Sequence, residues 1–156
     1  MTRILCLDDD HEFTDLLRLI LTRAGYEVVI TNDEEQALSI LRTQPPDLFT
    51  QDFLRPGMGG WEFLRMLRAD AALRDIPVLG ISAGPRDMRA RQLESMGLDI
   101  DRDLAGYITK PASPIEVLDV VEAALQRHSL PIPAQAAQFR ERYQQRMVFT
   151  NPRIHR

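Results

Sequence analysis

Short apolar runs alternate along the chain with longer stretches in which apolar residues recur every three or four positions. Arg3–Leu7 reads as a buried strand, and Glu12–Ala24 places Phe13, Leu16, Leu17, Ile20 and Leu21 on one helical face before Gly25 ends it. The β-branched run Glu27–Thr31 predicts a second strand, followed by a helix from Asp33 to Arg42 whose acidic first turn suits the helix dipole. Pro45 and Pro46 punctuate before a strand over Asp47–Gln51. The turn Pro56-Gly57-Met58-Gly59-Gly60 precedes a helix from Trp61 to Ala69. Pro77–Ile81 then predicts a strand, Arg86–Met96 a helix, Gly106–Thr109 a strand and Pro114–Arg127 a helix. Five strand–helix units with short links predict a doubly wound α/β fold, in which right-handed crossovers set helices on both faces of a parallel sheet.

The last thirty residues differ in character. Residues 128–156 form an extension to a domain over 1–127: two prolines in Ser129–Pro133 suggest a linker, and Ala134–Val148 predicts a short helix with Phe139, Tyr143 and Met147 on a narrow stripe. Three readings of that stripe stay open: docking on its own domain or across a homodimer, disorder until a partner arrives, or a membrane-surface helix. Charge divides at the same place. Residues 1–126 hold 13 basic and 22 acidic side chains, a net of −9, whereas residues 127–156 hold six arginines against Glu141, a net of +5. An acidic body argues against direct nucleic-acid binding, and thirty residues are too few for a helix-turn-helix effector. One cysteine excludes a disulfide framework, and Cys6 reads as a small core residue. No apolar run approaches the roughly 20 residues of a membrane helix, and Met1-Thr2 leads directly into a strand, so the expectation is a cytoplasmic protein with no membrane partner.

Ligands in open parallel sheets bind beyond the carboxyl ends of the strands. The residues that follow the apolar runs there are Asp8-Asp9-Asp10, Asp52, Ser82 and Lys110, the chain's one lysine among nineteen basic residues. Two carboxylates about 4 Å apart repel by roughly 4 kcal/mol at an effective dielectric near 20. An acid cluster therefore needs protonation or a cation. Oxygen-only ligands that still admit water and phosphate suit Mg²⁺ better than Ca²⁺, and no Cys/His set is present for zinc. A carboxylate beside such an ion can attack a phosphoryl donor, and a lysine offers a compact charge to the transferring oxygens.

These residues carry a family resemblance over about residues 2–127. Ile4-Leu5-Cys6-Leu7-Asp8-Asp9-Asp10, Asp52 with Pro56-Gly57-Met58-Gly59-Gly60, Ser82-Ala83, and Tyr107-Ile108-Thr109-Lys110-Pro111 resemble the receiver domain of two-component response regulators. The resemblance implies a flavodoxin-like five-stranded sheet of order 2-1-3-4-5. It implies a phosphoacceptor at Asp52 and Mg²⁺ held by Asp8, Asp9, Asp52 and the Leu54 backbone carbonyl. It implies that Ser82 and Lys110 contact the phosphoryl group, and that Tyr107 changes rotamer as Ser82 moves. The donor would be a histidine kinase or phosphotransfer protein, and an unidentified downstream protein would read the switch. The chain would then be a signalling protein, not an enzyme acting on a separate substrate.

The sequence also departs from the family pattern. Thr50-Gln51 make the third strand polar at its end, Arg55 stands where an apolar residue is common, and Gly59 replaces an acid. At the two positions that in the family help admit or orient the hydrolytic water, Leu54 is apolar and Gly84 has no side chain, which predicts slow self-dephosphorylation. About six extra residues between Gly97 and Tyr107 carry Asp99, Asp101 and Asp103, read as a solvated acidic loop because Leu104 and the absence of a terminal glutamate spoil a calcium loop. Trp61 is expected to pack at the start of its helix, near enough to report metal binding. The competing reading is a receiver-like interaction module that never takes up phosphate. A haloacid-dehalogenase-type phosphatase fits Asp8 and Asp10 but explains neither Asp52 nor the glycine turn.

Overall fold

The structure is a computed structural model and describes residues 1–53 and 60–150, with the side chains of 149 and 150 excepted. Five strands, β1 (Arg3–Leu7), β2 (Glu27–Thr31), β3 (Leu48–Asp52), β4 (Val78–Ser82) and β5 (Gly106–Thr109), form one parallel sheet in the order β2-β1-β3-β4-β5. The helices are α1 (His11–Arg23), α2 (Glu34–Thr43), α3 (Gly60–Ala69), α4 (Arg86–Ser95), α5 (Ile100–Asp103), α6 (Pro114–Arg127) and α7 (Ala134–Thr150). The fold class and strand order are those expected. The strands β3 and β4 each run one residue further than the apolar pattern suggests, so Asp52 and Ser82 are the last residues of strands.

Alternation along β1 shows how the sheet divides the core. Ile4 and Cys6 point to one face with Phe13, Leu17 and Leu21 of α1 and Val117, Leu118 and Val121 of α6. Leu5 and Leu7 point to the other, with Leu41 of α2, Phe63, Leu64 and Leu67 of α3, and Leu93 of α4. All four residues are fully buried, and burial pushes the Cys6 thiol up to about 11, which keeps it neutral. Gly80 is fixed by the same close packing: a Cβ there would lie 2.3 Å from the Phe53 ring and 3.1 Å from Tyr107.

Local capping sets the helix ends. Asp10 accepts the Phe13 N–H at 3.1 Å to start α1, and Gly25, at φ 96°, ends it in the left-handed region. Ser113 and Glu116 close a capping box at the start of α6.

The acidic insertion is not a solvated loop. Asp99 caps the turn α5 through the Asp101 and Arg102 N–H groups, Asp103 is buried and accepts from the Asp99 N–H at 2.7 Å, and Ile100 and Leu104 plug into the core beside α4. The apolar pair at i and i+4 anchors the segment, which acid counting alone had hidden. Helix α7 lies against α1 and α6: Ala136 is buried, Phe139 packs against the core, and Arg140 reaches Asp119 at 2.7 Å and Glu122 at 2.8 Å. Thr2 donates to the Pro131 carbonyl at 2.7 Å and ties the linker to the start of β1.

Candidate functional site

The carboxyl edge of the sheet gathers the candidate residues from four strands. Asp8 leaves β1 with its N–H bonded to the Thr31 carbonyl at 3.1 Å, and its Oδ1 accepts the Asp10 N–H at 2.9 Å. The Lys110 N–H donates to the Ser82 carbonyl at 2.8 Å, which fixes the lysine beside the end of β4; the Lys110–Pro111 peptide that follows is cis. Its Nζ then reaches across the edge to 2.9 Å from Asp8 Oδ2, 3.4 Å from Asp52 Oδ2 and 3.5 Å from Asp10 Oδ2, over the face of Phe13.

Carboxylate oxygens of Asp8, Asp9 and Asp52 lie within 4.8 Å of one another, with Asp8 and Asp52 buried and Asp9 exposed. Burial, with the nearby Asp52 charge, pushes Asp8 up to about 6, although Lys110 and the Asp10 N–H pull the other way. Burial also opposes the charge on Lys110, but Asp8, Asp52 and Asp10 together outweigh it and hold its pKa above the ordinary lysine value. Asp8 Oδ2 meets Lys110 Nζ as an ion pair and, among the described residues, is buried without a further hydrogen-bond donor. Among the described residues one ammonium, Lys110, faces these acids, and a hard divalent cation on oxygen ligands suits that donor set. The Leu54 carbonyl and the Pro56–Gly59 turn lie outside the described residues. Asp99, Asp101 and Asp103 do not converge as a metal site: the one such group among the described residues is Asp8, Asp9 and Asp52.

Ser82 is fully buried, and its Oγ accepts the Gly84 N–H at 3.3 Å and the Arg89 Nε–H at 3.2 Å. The half-buried Tyr107 donates its hydroxyl to the Gly84 carbonyl at 3.0 Å, which links β5 to the loop after Ser82. Arg89 is a residue the sequence reading passed over, and it changes the account of Gly84. The expected side-chain vacancy at Gly84 is filled by the Arg89 guanidinium, because a Cβ there would stand 2.6 Å from Arg89 Nη2. The signal was present in α4, where Arg89 stands four residues before Leu93 on the one face that is buried. Trp61 lies between two partners, stacked on Phe53 at 4.7 Å and capped by Arg89 at 5.5 Å. The polar end of β3 also has a local reason: the buried Gln51 amide donates to the Gly60 carbonyl and joins β3 to the start of α3.

Residues 4–122 match the family described as the response regulator receiver domain. The chain belongs to the response regulator receiver family. Among curated relatives it is 34% identical over 128 residues to the phosphate regulon transcriptional regulatory protein PhoB of Klebsiella pneumoniae, covering 81% of this chain and 53% of that protein. It is 33% identical over 132 residues to the alkaline phosphatase synthesis transcriptional regulatory protein PhoP of Bacillus subtilis, covering 85% and 52%. The chain thus spans about half the length of the curated relatives it matches. Among solved structures, the receiver N-terminal domain from Methanoculleus marisnigri shares 31% identity at a TM-score of 0.62, over 78% of this chain and 94% of that one. The chemotaxis regulator CheY4 of Vibrio cholerae has the same fold at a TM-score of 0.69 and 24% identity, over 80% and 99%. Receiver domains are signalling modules that work with histidine kinases or phosphotransfer proteins. No helix among the described residues is long and apolar enough to cross a membrane.

Proposed function

We propose that this chain is a phosphoryl-accepting regulator in which Asp52 is the acceptor. The observation that carries the reading is the convergence of Asp52, Asp8, Asp9 and the Lys110 ammonium from three strands onto one half-buried point. An Asp52 carboxylate oxygen attacks the phosphorus of a phosphohistidine. The new P–O bond forms as the P–N bond breaks, the bonding pair leaves on the imidazole nitrogen, and that nitrogen takes a proton from water. Lys110 moves little to do its part, since its Nζ is already 3.4 Å from Asp52 Oδ2 and is held charged by its neighbours. Asp8, Asp9 and Asp52, with the Leu54 carbonyl, would hold Mg²⁺, which supplies positive charge to the phosphoryl oxygens when bound.

Ser82 donates to a phosphoryl oxygen, and Tyr107, bonded to the Gly84 carbonyl, registers the movement of the loop between them. Two features support a long-lived phosphoryl group. Gly84 brings no side-chain carboxylate or amide to the site, and the guanidinium that fills its space is a donor only and cannot accept a proton from water. Signal output runs through protein contacts of the α4–β5 face, in the cytoplasm. The net charge of −9 over residues 1–126 favours protein over nucleic acid as the partner of this body.

Intact mass after incubation with Mg²⁺ and a small-molecule phosphodonor tests the reading. Wild type gains one phosphoryl group and Asp52→Asn gains none. An adduct that survives Asp52→Asn would move the acceptor to another carboxylate, and no adduct on folded wild type would favour a phosphate-independent interaction module.

A further inference from the structure

Helix α4 holds an arginine where its packing would call for an apolar residue. Arg89 is 4% exposed, and Leu93 is the other buried residue of the helix. Its donors meet neutral partners: Nε reaches Ser82 Oγ at 3.2 Å, Nη1 reaches Gln92 Oε1 at 2.7 Å, and the guanidinium lies over the Trp61 ring. Arg89 forms no ion pair among the described residues. Burying a cation without a counter-charge is costly, and the cost is removed when an anion arrives beside it.

The hydroxyl of Ser82 shows where that anion would sit. A serine hydroxyl accepts two hydrogen bonds and donates one. Both acceptor places on Ser82 are taken, by the Gly84 N–H and the Arg89 Nε–H, so its own hydrogen is left to donate. Access depends on Gly84. With any larger residue the guanidinium could not remain against Ser82, since the added Cβ would fall 2.9 Å from both Arg89 Nε and Cζ.

We infer that Arg89 is a second cationic group of the phosphoryl site, seated through Gly84 so that it fixes the Ser82 hydroxyl as a donor to a phosphoryl oxygen. The inference rests on Asp52 being the acceptor. Phosphorylation replaces one negative charge on Asp52 with about two on the phosphoryl group at neutral pH, and Arg89 is positioned to offset the added one. Arg89 acts on the phosphoryl group through Ser82 and is a positioning residue. The same guanidinium covers Trp61, so its movement with Ser82 changes the environment of the chain's only tryptophan.

The probe is beryllofluoride, a phosphoryl mimic, titrated with Mg²⁺ present and followed by calorimetry and by Trp61 emission. Far-UV circular dichroism confirms the fold of each variant. Arg89→Met weakens binding by about tenfold or more, the loss expected for one charge-assisted hydrogen bond. Gly84→Ala weakens it in the same direction while leaving the arginine in the chain. Arg89→Lys keeps the charge and recovers part of the affinity, which a purely packing role would not produce. Wild type changes Trp61 emission on binding, and Arg89→Met binds without that change. Equal affinity in wild type, Arg89→Met and Gly84→Ala would overturn the role of Arg89 and leave the acceptor reading intact. Wild type that neither binds beryllofluoride nor takes up a phosphoryl group would overturn both.

Discussion

Replacing Asp8 with asparagine should stabilise the metal-free protein, although it removes one partner of a buried ion pair. Asp8 is 3% exposed and its pKa is pushed from the ordinary 3.8 to about 6, chiefly by burial. That displacement of about two units corresponds to roughly 3 kcal/mol favouring the neutral over the ionised carboxyl in the folded state. It is already net of the attraction from Lys110, which would retain Asp52 and Asp10. Because the folded pKa is raised, the contribution to stability is fully present below pH 3.8 and is lost as pH rises through about 6. Asparagine stays neutral throughout, and its amide oxygen can still accept the Asp10 N–H. Asp8→Asn should therefore gain about 2–3 kcal/mol at pH 7 to 8 and about half that at pH 5, with a rise in Tm of roughly 2–4 °C per kcal/mol. Urea denaturation in chelated buffer at pH 5, 6, 7 and 8 measures this directly. Mg²⁺ should then close the gap by stabilising wild type more than the variant. A variant no more stable than wild type at pH 7, or an advantage that does not change with pH, would refute the assignment of the strain to the Asp8 charge.

Three further outcomes follow from packing. Gly80→Ala forces Phe53 and Tyr107 away from β4 and should cost about 1–3 kcal/mol by chemical denaturation, with a change in the Trp61 signal because Phe53 is stacked on it. Ile100→Ala removes an anchor of α5 and should cost about 2–4 kcal/mol, with faster proteolysis of the 97–105 segment; an unchanged cleavage rate would mean that the insertion is held in some other way. Arg140→Gln breaks the pairs to Asp119 and Glu122, which are partly exposed, so global stability should fall by under about 1 kcal/mol, while amide exchange in α7 accelerates and that of α6 does not.

Where a local rule acts alone, the sequence predicts the structure closely. The apolar runs of β1 and β2 and the helix α6, with its Ser113–Glu116 capping box after Pro111, are delimited by side chains within a few residues of one another. The strand-end positions of Asp8, Asp52, Ser82 and Lys110 were legible for the same reason: a polar residue that ends an apolar run stands at the sheet edge. Features that depend on distant partners were not legible. Ile100 and Leu104 bury themselves because the surface beneath α5 is apolar, which a row of aspartates does not announce. Arg89 is buried because Gly84, Ser82 and Trp61 leave a guanidinium-shaped space, a condition spread over three elements. Helix α7 is legible in sequence as a short helix with a Phe139, Tyr143 and Met147 stripe, for which docking on the domain is one of three open readings, and the choice among them rests on the α6 acids that hold Arg140 against the body.

The composition of α4 has a consequence for how cheaply this protein can change shape. Helix α3 is held by Phe63, Leu64 and Leu67, whereas α4 is held by Leu93 and the polar grip of Arg89 on Ser82. Its first turn gains no side-chain cap, since Pro85 stands at that position. Displacing α3 would strip three large apolar side chains from the core, but displacing α4 exposes one leucine, the small Ala90 and one face of Trp61, and exchanges hydrogen bonds that water can replace. Amide protection should accordingly be lowest in α4 of the sheet-flanking helices, with exchange by local opening well below the free energy of global unfolding. Such low protection would put the most easily opened helix beside the serine of the acid edge, and a single added charge would then have enough leverage to redistribute its conformations without loosening the rest.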